Sequence, residues 1–261
     1  MMTRLKKLTI AVVYLLCCLF VVYSTYKSNE RPSLNLIKNQ ENIAPSLSAQ
    51  HQAAVEKSRL SAVRIISSDY NSPLVSYMSG TYFKTLKGYY VITAQHGIAG
   101  PCELTVVLHE DEFYKCLEYV KIDSTNDYLI MQVEEIFNRK PVSIPQDLPN
   151  NSQWKSSYSI MSDTVYTGFP NTIGPLTVHG EIGGYQDFGP GLYMLSYAWA
   201  GASGAGGFDY DGHYIGHVVA IDVAQDSLGG MNILENVVLI IPSYRVEWKS
   251  TYIIKIGNEN E

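Results

Sequence analysis

Gly201-Ala202-Ser203-Gly204-Ala205-Gly206 stands between an apolar run ending at Trp199 and the strand-like segment Tyr214-Ile215-Gly216-His217-Val218-Val219-Ala220. Glycine adopts backbone conformations closed to other residues, so a serine flanked by glycines on a tight turn exposes its hydroxyl and lets a carbonyl approach the backbone. A nucleophilic serine needs both properties. A bland Gly/Ala-rich surface turn has the same composition, so the rest of the chain decides between them.

Working outward, His96 closes the segment Ile92-Thr93-Ala94-Gln95-His96 at the end of an apolar strand. There an imidazole reaches a cleft and can move a proton near neutral pH. Asp127, in Ser124-Thr125-Asn126-Asp127, immediately precedes Tyr128-Leu129-Ile130-Met131. An acid at that junction either closes its own turn or orients an imidazole. His, Asp and Ser follow one another at separations of 31 and 76 residues, which is the chain order of chymotrypsin-like enzymes and not that of subtilisins or α/β-hydrolases.

The intervening sequence reads as short strands joined by polar turns, and 20 tyrosines, 20 glycines and only 17% charged residues agree with an all-β body. Residues 61–135 form a first strand set that suggests an antiparallel barrel. Residues 136–152, with Pro141, Pro145 and Pro149, read as a linker. Residues 153–252 form a second strand set, ended by Pro242 and followed by a short closing helix over Tyr244 to Tyr252; residues 253–261 are a tail.

The first 26 residues differ in kind. Arg4, Lys6 and Lys7 precede 19 uncharged residues, Leu8 to Tyr26; at a helical rise of about 1.5 Å these nearly match a hydrocarbon core of roughly 30 Å. They read as a signal anchor or a signal peptide, with the body on the non-cytoplasmic side, either membrane-held or secreted or periplasmic after cleavage. Residues 27–60 are polar and read as a tether, with a short helix expected around Ala53 to Leu60. Beyond residue 31 the chain holds 14 basic and 24 acidic residues, a net charge of −10 against −6 for the whole. A body so acidic repels phosphate backbones, which argues against nucleic acid as a partner.

Several segments together resemble the trypsin-like (chymotrypsin-fold) serine proteases, in the minimal bacterial and viral form typified by HtrA-type proteases and glutamyl endopeptidases. Gly88 to His96 resembles the segment in which that family carries its histidine, and Asn126 to Val133 the one that carries its aspartate. Thr167-Gly168-Phe169-Pro170, Thr177 to Ile182, Gly201 to Gly204 and Asp211 to Gly216 match further segments in the right order. The resemblance spans residues 61–252 and implies two six-stranded antiparallel β-barrels with the site between them. It implies an endopeptidase acting on protein or peptide substrates, with His96, Asp127 and Ser203 as the triad and the N–H groups of Gly201 and Ser203 as the oxyanion hole. An inactive, protease-like binding domain on a membrane stalk is the other reading. Two departures stand out. Ala205-Gly206-Gly207 replaces the usual residues after Ser-Gly, and Ala202 stands where digestive members carry an aspartate.

By the same resemblance the substrate pocket lies beside Tyr197, Ala198 and Val219. His217 is either a specificity residue there or, one position out of step along its strand, a packed histidine. Cys102 and Cys116 flank a hairpin turning near Glu110-Asp111, so their thiols are either bonded across it or free and buried. No metal-ligand spacing and no phosphate-binding glycine loop is present in the sequence, so no cofactor and no metal is expected.

Overall fold

The computed structural model describes residues 47–145, 148–149, 153–187, 189, 191–225 and 231–250. The apolar run Leu8 to Tyr26 and most of the expected tether lie outside them. Among the described residues, no helix is long and apolar enough to cross a membrane.

Helix α1 (Ala49–Ser61) leads into strands β1 (Ala62–Asp69), β2 (Ser72–Thr85), β3 (Gly88–Thr93), β4 (Thr105–His109), β5 (Glu112–Asp123), β6 (Tyr128–Val133) and β7 (Val142–Ser143). Six of these close a barrel in the order β1-β4-β5-β6-β3-β2, with β2 returning to pair β1, and β7 adds a short parallel edge on β2. A one-turn helix α2 (Trp154–Ser157) precedes β8 (Asp163–Gly168), β9 (Leu176–Tyr185), β10 (Leu192–Leu195), β11 (Gly206–Asp209), β12 (Tyr214–Gln225) and β13 (Met231–Pro242). These close a second barrel, β10-β13-β12-β11-β8-β9.

Strands β3 and β6 read as continuous apolar runs because both their faces are covered. Val91, Leu129 and Met131 fill the first barrel, whereas Tyr90, Ile92, Tyr128 and Ile130 point outward. The outward set packs with Phe83 against Val165, Phe208, Tyr214, Val246 and Trp248 of the second barrel. One apolar layer therefore joins the barrels directly behind the strand ends that carry His96 and Asp127.

The hairpin between β4 and β5 turns at Glu110 and Asp111, both at positive φ (53° and 64°), as a two-residue turn matched to strand twist requires. Cys102 and Cys116 are bonded, with Cα atoms 5.4 Å apart. Strand pairing stops at Val106 and Lys115, so Cys102 reaches its partner from the 3-10 turn Cys102–Leu104 rather than across the ladder.

At both ends the structure goes beyond the sequence reading. The short helix expected around Ala53 to Leu60 forms and runs from Ala49 to Ser61, capped by Ser48, whose side chain accepts the His51 N–H. Its small residues Ala54, Ser58 and Ser61 share one buried face, and the Ser58 hydroxyl donates to Thr167 Oγ1 at 2.9 Å. Close approach, not apolar bulk, docks it on the second barrel. At the other end, the closing helix over Tyr244 to Tyr252 does not form in its described part. Two 3-10 turns, Ser243–Arg245 and Trp248–Ser250, flank an extended Val246. Burying both Val246 and Trp248, with the indole N–H on the Ser243 carbonyl, requires that break.

Candidate active site

His96 sits in a 3-10 turn, Gln95–Gly97, just beyond β3. Asp127 precedes β6 at φ 46°, a left-handed conformation uncommon outside glycine. Ser203 lies in the turn between β10 and β11. Closure of the two barrels brings the three together. The His96 Nδ1 is 2.6 Å from Asp127 Oδ2, the His96 backbone N–H donates to Oδ1 at 2.8 Å, and His96 Nε2 is 3.1 Å from Ser203 Oγ.

An ionised carboxylate only accepts, so its partner Nδ1 carries the proton and Nε2 presents a lone pair to the serine. The Asp127 hydrogen bond raises the His96 pKa above the usual imidazole value, against the opposing effect of burial. The Ser203 hydroxyl has a second acceptor, the Val219 carbonyl at 3.1 Å.

Gly201 has φ 93° and Gly204 φ 87°. A side chain on Gly201 would press on the Phe169 carbonyl, and one on Gly204 would fall on that of Ser79. Both positions therefore require glycine. The Ala200 carbonyl accepts from Asn171 N–H at 2.7 Å and the Ala202 carbonyl from Ala205 N–H at 3.0 Å. In a trans peptide the following N–H points the opposite way, so the N–H groups of Gly201 and Ser203 face away from these partners. Neither has an acceptor among the described residues. That pair matches the donors an oxyanion requires.

The unusual ending Ala205-Gly206 is accommodated without disturbing the turn. Ala205 is fully buried, and Gly206 begins β11 opposite His217, where a side chain would collide with Thr81 and Tyr214.

Of the four residues expected beside the substrate, only Tyr197 is exposed, stacked near Trp199, with its carbonyl held by the Tyr166 hydroxyl. Ala198 and Val219 are nearly buried. His217 is no substrate ligand: at 0% exposure it lies under Asp127, its Nε2 3.1 Å from the Asp127 carbonyl. Strand alternation turned it inward. Its Nδ1 is buried without a partner, and burial holds its pKa down at about 4.

Sequence reading missed Ser79. Its N–H donates to the Ser203 carbonyl at 3.0 Å, and its hydroxyl donates to the Gly201 carbonyl at 2.7 Å while accepting the Phe169 N–H at 2.8 Å. A serine inside a strand carries no signal of such a role, because its partners come from the other barrel.

Among the described residues, one group of side chains could hold a metal ion: Asp209, Asp211 and His213. They lie on an open turn away from the triad, and Asp209 already bonds the His213 backbone N–H and ring. A cavity of about 530 Å³ between the linker and the second barrel, lined by Lys57, Ile144, Tyr158 and Tyr214 among others, contains no triad residue.

No family model and no curated protein matches the sequence. Solved structures do. The serine endoprotease from Yersinia pestis aligns with a TM-score of 0.56 at 18% identity, over 76% of this chain and 64% of that one. The active form of the Rv3671c protease from M. tuberculosis aligns with a TM-score of 0.54 at 18% identity, over 72% of this chain and 78% of that one. This chain thus spans less than two thirds of the Yersinia protein. With both barrels closed and the connections in this order, the chain has the chymotrypsin-like double-barrel fold of the trypsin-like serine proteases.

Proposed function

We propose that the protein is a serine endopeptidase that hydrolyses peptide bonds through an acyl-enzyme. The observation that carries this reading is the hydrogen-bonded line from Asp127 through His96 to Ser203, assembled across two barrels; a carboxylate on Nδ1 favours the tautomer a general base needs. Ser203 Oγ attacks the scissile carbonyl carbon as its proton passes to His96 Nε2, and the carbonyl oxygen takes up negative charge facing the Gly201 and Ser203 N–H groups. Collapse breaks the C–N bond, and His96 returns the proton to the leaving amine. Water, deprotonated by the same imidazole, then releases the acyl group and regenerates the serine. Asp127 stays ionised, holding the ring and stabilising its charged form.

The basic flank and apolar run at Leu8 to Tyr26 support a body placed outside the cytoplasm, membrane-held or released, and the Cys102–Cys116 bond agrees with an oxidising compartment. The acidity of the body favours polypeptide over nucleic acid as substrate.

A fluorophosphonate probe tests the reading. Wild-type protein becomes covalently labelled, Ser203→Ala abolishes labelling, and His96→Ala reduces it by about 1,000-fold or more. A folded wild type that remains unlabelled refutes the proposal and leaves a protease-like binding domain.

A further inference from the structure

We propose that Ser79, on β2 of the first barrel, is a positioning residue for the oxyanion turn of the second barrel; this rests on the protease reading above. Ser79 is fully buried, and every polar group it has is engaged. Its N–H holds the Ser203 carbonyl and its Oγ–H holds the Gly201 carbonyl. The same oxygen accepts the Phe169 N–H, and the Ser79 carbonyl accepts the Thr93 hydroxyl at 2.7 Å.

Each bond bears on the catalytic geometry. The Gly201 and Ser203 carbonyls bracket the turn whose N–H groups face the developing oxyanion. Gly201, lacking a Cβ, is free to rotate its peptide, and rotation would turn a donor out of the hole. The Ala200–Gly201 peptide, which carries the first donor, is held by the Asn171 N–H; Ser79 ties down the next peptide, Gly201–Ala202, and the one after Ser203, so both donor-bearing residues are anchored on their carbonyl sides. Phe169 belongs to the same scaffold, since the neighbouring Asn171 N–H fixes the Ala200 carbonyl. Thr93 ends the strand that delivers His96. A single residue on the first barrel therefore couples the strand carrying the base, through its backbone carbonyl, to the turn carrying the nucleophile, through its backbone N–H and its hydroxyl, without touching a reacting atom. Satisfying a buried hydroxyl would need only one partner; the Ser79 hydroxyl has two, the Gly201 carbonyl and the Phe169 N–H, and so ties the turn to the segment that follows β8.

Ser79→Ala tests this, with p-nitrophenyl acetate as acylating probe and Ser203→Ala as background. Acylation falls about 10- to 100-fold. Phenylboronic acid, which forms a tetrahedral anionic adduct with an active serine, loses affinity by a similar factor. The downfield proton resonance of His96 Nδ1, which reports the pair with Asp127, stays in place, and the protein remains folded at the assay temperature. Ser79→Cys, similar in shape but a weaker donor, lies between wild type and Ser79→Ala; if Ser79→Ala does not fold, an acylation loss in folded Ser79→Cys with an unchanged His96 resonance carries the same meaning. Acylation at the wild-type rate in the folded variant overturns the assignment, as does a loss accompanied by disappearance of the His96 resonance. A wild type that is neither acylated nor labelled by the fluorophosphonate overturns the protease reading and this assignment with it.

Discussion

His96 and His217 lie on either side of Asp127, and their surroundings push them in opposite directions. Asp127 raises the pKa of His96, so its neutral form is lost as pH falls through a value above the usual 6.5. The acid limb of the pH-rate profile accordingly lies above pH 6.5. Asp127→Asn moves that limb downward and slows turnover by about 10,000-fold, because the amide stabilises neither the imidazolium nor the required tautomer. A variant with an unshifted limb would separate Asp127 from the base.

His217 is neutral in the fold down to about pH 4, whereas the unfolded chain protonates it near 6.5. Between these values the unfolded state binds the extra proton, so stability drops as pH falls through this window, by an amount on the order of 3 kcal/mol at most. His109, held down to about 3 by burial and Arg139, acts in the same direction. His217→Gln keeps a donor near the Asp127 carbonyl without titrating. Its urea midpoint therefore declines less steeply from pH 6.5 to 4 than that of wild type, and equal slopes would contradict this account.

At the scale of elements, strand texture was legible wherever one face met solvent, as in β1 and β4, whose burial alternates. The Glu110-Asp111 turn was legible as well. Helix α1 was read short and its docking unseen, because Ala54 and Ser58 carry no apolar stripe; what they offer is a lack of bulk. The Cys102–Cys116 link spans 14 residues. Replacing both cysteines by serine is expected to cost about 3 kcal/mol in chemical denaturation, chiefly by freeing the unfolded chain. Fluorophosphonate reactivity of the folded fraction is unchanged, since the link joins β5 to the 3-10 turn before β4 rather than touching a triad segment.

For the whole molecule, the decisive feature is the layer shared by the barrels. Phe83 meets Tyr214 edge-on at 5.0 Å and Trp248 at 5.1 Å, and the Tyr128 hydroxyl accepts the Glu247 N–H. The site has no existence in either barrel alone, so this layer holds the distance between His96 and Ser203. Trp248→Ala, which empties a buried indole site at that junction, is expected to cost about 3–5 kcal/mol in a denaturant titration. It also lowers fluorophosphonate reactivity more than replacement of an exposed aromatic residue such as Phe113.

Chain order, glycine placement and strand-end position were enough to select His96, Asp127 and Ser203, which the fold brings into one hydrogen-bonded line, because a glycine turn and a strand end are local features that local sequence expresses. The barrels, likewise, followed from short apolar segments and turns. Tertiary structure alone decided that His217 packs beneath Asp127, that the helix before Ser61 docks on the second barrel, and that Ser79 clasps the turn from Gly201 to Ser203. Each depends on a partner more than 80 residues away in sequence, brought near only when two closed sheets bury their common face.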